Sequence, residues 1–203
     1  MNKDQFLFDI KIGKINFNTA SLDKYSTFLK EHSNDIDIFK AAIKSCSDAL
    51  QLASDELKDS DELIQEGMIY WGSDVFKFAS ERIKDDKKLV LQSIRAIRDV
   101  AYDFFDEFPP LLYISARLRM DQEVLLATIE DSNIIIDFKE KYSFPLPYND
   151  DKEFVMKALP LNTDVYELIS DRLKEDIDIL KLLTDVQKNN NGELANWDDS
   201  DDI

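Results

Sequence analysis

Apolar residues recur along this chain with the period of a helix. Ile36, Phe39, Ile43, Cys46 and Leu50 keep the three-to-four spacing of one helix face, as do Val90, Ile94, Ile97 and Ala101, and Leu173, Ile177 and Leu180. Shorter apolar segments follow the longer ones, as in Ala49-Leu50-Gln51-Leu52-Ala53 and Val75-Phe76-Lys77-Phe78-Ala79. Only 4 Gly and 5 Pro interrupt 203 residues, too few for a many-stranded sheet with its frequent turns. The start is different. Phe6, Phe8, Ile10 and Ile12 alternate with Leu7, Asp9 and Lys11, and Gly13-Lys14 precede Ile15 and Phe17. That alternation across a glycine predicts a small N-terminal β-hairpin cap, with an irregular first helix as the alternative.

A phrase repeats between the apolar runs: Ser, two variable residues, an aliphatic residue, then usually Lys or Arg. Its copies begin at Ser26, Ser54, Ser80, Ser115, Ser143 and Ser170, at intervals of 28, 26, 35, 28 and 27 residues. Such near-constant spacing is a sign of a repeat architecture. Acidic clusters follow most copies: Asp35 and Asp37, Asp59 and Asp61, Asp85 and Asp86, Asp121, Asp150 and Asp151, Asp176 and Asp178. Each opens an apolar run, where an aspartate accepts bonds from free backbone N–H groups and complements the helix dipole. Four of these serines, Ser54, Ser80, Ser115 and Ser170, read as local hydrogen-bonding groups in the turn between helices. The long interval holds Phe104, Phe105 and Phe108 before Pro109 and Pro110, an inserted turn packed by aromatics. Asn189-Asn190-Asn191-Gly192 is expected to break the last helix ahead of an acidic tail.

The predicted fold is therefore all-α: an array of about five to six stacked short helical pairs, solenoid-like, since one pair cannot bury its own apolar face. Its parts are a cap segment at 1–24, a helical-repeat domain at 25–188 and the tail at 189–203.

These units resemble bacterial helical repeats known only as a domain of unknown function, whose units read approximately DKEVVLAAV, a short gap, then LQYASEELKDD. Ala49–Lys58 (ALQLASDELK) and Phe76–Asp86 (FKFASERIKDD) resemble the second part. Asp86–Ile94, Asp121–Ile129 and Asp151–Leu159 resemble the first. The resemblance covers about residues 35–183. It implies an all-α fold and protein interaction, and it brings no catalytic residues with it.

Composition narrows the function. With 42 acidic and 25 basic residues the net charge is −17, and the acidity is densest toward the C-terminus. Such a chain repels nucleic acid and anionic membrane and attracts basic surfaces. Cys46 is the sole cysteine and His32 the sole histidine, so no disulfide, zinc site or Ser–His–Asp triad is expected. No phosphate-binding glycine loop or calcium loop is present, and carboxylate pairs are too abundant to be informative. No cofactor and no catalytic or metal-binding residue is assigned. The polar opening Met1-Asn2-Lys3-Asp4 and the lack of a long apolar run lead to the expectation of a cytoplasmic protein.

The expected function is binding rather than catalysis. A basic protein partner, either a toxin or a nucleic-acid-processing enzyme, fits an immunity- or antitoxin-type inhibitor. The alternatives are a nucleic-acid mimic that blocks a defence nuclease complex and a secreted effector or scaffold of a host-associated bacterium. Candidate partner-binding residues are Asp55, Glu56, Asp59, Asp61, Glu62, Asp171, Glu175, Asp176, Asp178, Trp197, Asp198 and Asp199. Tyr70 and Trp71 are further aromatic anchors, unless their helical spacing from Ile64 and Met68 places them in the core.

Overall fold

A computed structural model describes residues 1–15, 19–98, 110–130 and 146–195. The described residues are mostly helical and contain no strand, as expected of an all-α chain. They form two compact units, Met1–Leu118 and Arg119–Ile203, a division that falls inside the segment expected to be one helical domain.

In the first unit, α1 (Lys3–Lys11) and α2 (Thr19–Glu31) precede α3 (Ile36–Ile43) and a 3-10 segment at Ser47–Leu52. Then come α4 (Asp55–Lys58), α5 (Asp61–Trp71) and a 3-10 segment at Gly72–Phe78. These are followed by α6 (Glu81–Lys84), α7 (Lys87–Arg98), a short 3-10 turn at Pro110–Leu112 and α8 (Ala116–Arg119), whose last residue opens the second unit. The second unit continues with α9 (Gln122–Ile129), α10 (Lys152–Ala158), α11 (Val165–Leu168), α12 (Asp171–Lys174) and α13 (Ile177–Ala195).

The N-terminal hairpin does not form; residues 3–11 are helical. Asn2 caps α1 by accepting the Gln5 N–H at 2.8 Å, Asp4 lies in the first turn and Lys11 in the last. The apparent alternation misleads because half of its apolar set, Phe8 and Ile12, faces solvent, while Phe6 is fully buried. The last helix also differs from expectation. It runs through Asn189-Asn190-Asn191-Gly192 to Ala195. Asn and Gly cost a helix only about 0.5–1 kcal/mol each and, unlike proline, neither clashes with the preceding turn. Ser26 lies inside α2 and donates to the Asp23 carbonyl, so the first copy of the phrase sits within a helix. Phe17, Ala101, Phe104, Phe105, Phe108, Pro109, Ser143 and the acidic tail lie outside the described residues.

One burial rule recurs. The helices α3, α5, α7, α9 and α10 follow the capping residues Asp35, Ser60, Asp86, Asp121 and Asp151, whose side chains accept N–H groups of the first turn. In all five, the third, fourth, seventh and eighth residues after the cap are buried. These are Ile38, Phe39, Ala42 and Ile43 in α3, and Leu63, Ile64, Gly67 and Met68 in α5. A large apolar side chain withdrawn from water at such a position contributes on the order of 1.5–3 kcal/mol. Within the first unit α3 packs on α5 and α5 on α7, each also against its following 3-10 segment. Gly72 ends α5 at φ 50°, a positive angle that glycine adopts without a side-chain clash.

Candidate functional site

The serines of the repeated phrase do two jobs at once. Ser54, Ser80, Ser115 and Ser170 sit just before α4, α6, α8 and α12. Each hydroxyl accepts the backbone N–H three residues on, at 3.2–3.3 Å: Leu57, Ile83, Leu118 and Leu173. Each hydroxyl also donates backward in the chain, Ser54 to Asn34, Ser80 to Asp59, Ser115 to Asp85 and Ser170 to Asp150. The serine N–H groups reach the carbonyl of the residue before each of those partners: Ser33 at 2.9 Å, Lys58 and Lys84 at 3.0 Å, Asn149 at 2.9 Å.

Arginine completes the latch three times. The Nε groups of Arg82, Arg117 and Arg172 lie 2.8, 3.0 and 3.0 Å from the carboxylates of Asp59, Asp85 and Asp150. Their Nη2 groups reach the carbonyls of the same aspartates. One planar guanidinium thus holds a side chain and a backbone oxygen together, which lysine could not do with the same geometry. The Ser80 hydroxyl and the Arg82 guanidinium hold Asp59 below the usual carboxylate range. Ser115 with Arg117 does so for Asp85, and Ser170 with Arg172 for Asp150.

Lysines make a second repeated tie. Lys3 follows the cap Asn2 and reaches Asp35 and Asp37, both at 2.8 Å. In the second unit Lys152 follows the cap Asp151 and reaches Asp176 and Asp178 at 2.9 and 2.6 Å.

These contacts sort the candidate partner-binding residues. Asp59 and Asp61 are both held by Arg82, and Glu62 pairs with Lys40. Asp176 and Asp178 share Lys152. Asp55 and Glu56 in the first unit, and Asp171 and Glu175 in the second, are exposed and carry no ion pair among the described residues. Trp197, Asp198 and Asp199 lie outside the described residues. Of the aromatic anchors, Trp71 donates its indole N–H to the Ile43 carbonyl and acts as a brace. Tyr70 is partly exposed beside the exposed Ile69, with Lys44 Nζ 5.8 Å from its ring centre.

Sequence inspection identified the capping aspartates but missed the division of labour inside each cluster. Asp85 and Asp150 hold the next serine, while Asp86 and Asp151 cap. The available signal was the arginine two residues after Ser80, Ser115 and Ser170.

His32 lies in the turn after α2, with Nδ1 2.9 Å from the Phe28 carbonyl and its ring 4.3 Å from that of Phe28. An open hollow of about 500 Å³ is lined by Glu31, His32, Ser33, Asn34, Asp35 and Ile36. Among the described residues, no group of three or more His, Cys, Asp or Glu is arranged to hold a metal ion, and no helix is long and apolar enough to cross a membrane. Compared with family models, curated proteins and solved structures, the chain matches none.

Proposed function

We propose that this protein is a non-enzymatic acidic protein-binding module, and that it neutralises a basic protein partner in the manner of an immunity protein or antitoxin. Its helical pairs are read as stacking, within each unit, in the solenoid-like way that the serine spacing predicts. The resemblance to bacterial helical repeats supports the same reading.

The observation that carries the proposal is the division of the carboxylates. Asp59, Asp61, Glu62, Asp176 and Asp178 are consumed by internal cations. Asp55 and Glu56 at the first turn of α4 in one unit, and Asp171 at that of α12 in the other, are exposed and without an ion pair among the described residues, so each is free to meet a basic group. Complementary charge of this kind raises association rates and selects partners. The nucleic-acid-mimic reading is weakened by the same contacts, since the latch carboxylates Asp59, Asp85 and Asp150 are each paired with an arginine of their own unit.

The test is capture of partners from the source organism's lysate at two salt concentrations, using the native chain and an Asp55→Lys/Glu56→Lys variant. One basic partner, held more weakly at high salt and lost by the variant, is the expected result. A partner held equally by both chains, or none at either salt, counts against neutralisation through this surface.

A further inference from the structure

Among the described residues, the latch that follows α12 stands open. Reading along the phrase, the carbonyl and side-chain positions that receive a serine are Ser33–Asn34, Lys58–Asp59, Lys84–Asp85 and Asn149–Asp150. The same register after α12 falls on Lys174–Glu175. Glu175 is exposed; its backbone N–H donates to the Leu173 carbonyl, but its side chain makes no hydrogen bond or ion pair among the described residues. The Lys174 carbonyl accepts the Tyr166 hydroxyl at 3.1 Å, and a carbonyl oxygen has a second lone pair to offer.

The helix beyond this latch is uncovered in the same register. Asp176 caps α13 by accepting the Asp178 and Ile179 N–H groups. In five earlier helices the third, fourth, seventh and eighth residues after the cap are all buried. In α13 only the third, Ile179, is buried; Leu180 is 40% exposed, Leu183 half-buried and Thr184 exposed. Ile177, between cap and core, is 81% exposed. An apolar helix face and an empty polar latch thus coincide.

We propose that Glu175 and the Leu180–Leu183 face of α13 dock a helical segment of another polypeptide that opens Ser-x-Arg followed by Leu or Ile. The chemistry of the occupant follows from the filled latches. In each arginine latch the serine takes the carbonyl and carboxylate, the arginine clamps the carboxylate, and the next residue, Ile83, Leu118 or Leu173, is buried. Charge selects against this chain's own residues 196–203, which contain four aspartates and no Lys or Arg. A second copy fits less well, because Arg82, Arg117 and Arg172 are already engaged. The inhibitor reading is not required, since that partner would be recognised through Asp55 and Glu56.

The probe is a synthetic peptide spanning residues 72–84 of this chain, which carries one complete Ser-x-Arg-Ile start. It is titrated to millimolar concentration into the full isotope-labelled chain. Amide and methyl shifts at Glu175, Leu180 and Leu183 are the expected result, with binding weakened about tenfold by Glu175→Arg and recovered when the peptide carries Arg82→Glu. Circular dichroism of the variant checks that this exposed substitution leaves the helices intact. No shift at these residues, or shifts of equal strength in Glu175→Arg, overturns the proposal. So does concentration-dependent dimerisation of the chain alone that Glu175→Arg abolishes, because it assigns the face to a second copy.

Discussion

Asn34 and Glu56 occupy the two positions that Asp85 and Arg117 occupy in a later latch. Asn34 accepts the Ser54 hydroxyl, and the residue two places after that serine is Glu56. In the later latch Asp85 accepts Ser115, and Arg117 clamps both its carboxylate and its carbonyl. A neutral acceptor gives an arginine no charge to pair with, so the two changes belong together.

The exchange of both residues is therefore expected to behave as a coupled pair. Asn34→Asp alone sets a carboxylate beside Asp35 and close in register to Glu56, and lowers stability by a few tenths of a kcal/mol. Together with Glu56→Arg it builds a fourth arginine latch. A double-mutant cycle in urea should then give a favourable coupling of about 0.5–1 kcal/mol. Strict additivity would show that positions 34 and 56 do not meet.

The two kinds of serine should respond differently to alanine. Ser80→Ala removes both the cap of α6 and the tie to Asp59, and is expected to cost about 1 kcal/mol. Ser26→Ala, in the middle of α2, removes only a bond to the Asp23 carbonyl in the preceding turn and should be neutral or slightly stabilising. Urea midpoints of the two variants decide this; equal losses would contradict the placement of Ser26 inside a helix.

That contrast also marks what could be read from the chain before its structure. Caps are local, so Asp35, Asp121 and Asp151 were legible as helix starts, whereas the serines at 54, 80, 115 and 170 read only as hydrogen-bonding groups in turns, although they too cap helices. Burial of Phe39, Ile43, Ile94 and Leu173 followed from periodicity. The latches join residues 20–32 positions apart, and a phrase that lists Ser-x-x-Leu says nothing of its partner. Alternation at Phe6–Ile12 misled because period two and period 3.6 share their i and i+4 positions. Glycine at 192 misled because glycine weakens a helix without forbidding it.

Gly67 illustrates packing that periodicity cannot show. A β-carbon there would lie 2.7 Å from Val75 Cγ2 and 2.8 Å from Ile43 Cδ1. Alanine would gain roughly 1 kcal/mol of helix propensity, but pushing apart α3 and the 3-10 segment against α5 costs about 1–3 kcal/mol. Gly67→Ala is thus expected to lower stability by about 1 kcal/mol in thermal or urea unfolding. A stabilised variant would show that Val75 and Ile43 yield at little cost.

The buried carboxylate of Asp74 sets a pH dependence opposite to that of the latch aspartates. Asp74 is 3% exposed, accepts the Ser47 hydroxyl on one oxygen, and has no partner on the other. Burial pushes its pKa above the ordinary 3.8; the Ser47 bond and the charge of Lys77 oppose that shift, and Asp48 adds to it. The nearby Tyr113 phenol is raised as well, by burial first and by Asp74 second. A folded-state pKa above the unfolded one means that the folded state binds this proton more tightly. Its stabilisation is complete below pH 3.8 and is lost as pH rises through the folded pKa. Asp59, Asp85 and Asp150 run the other way: their contribution is present above 3.8 and lost as pH falls through their lowered values. Replacing Asp74 by Asn keeps an acceptor for Ser47 and removes the buried charge. Asp74→Asn should stabilise the protein by about 1–2 kcal/mol at pH 8 and by much less near pH 4. Urea unfolding of both proteins across that range measures the difference. Equal effects at both ends would mean that Asp74 does not titrate with folding in this window.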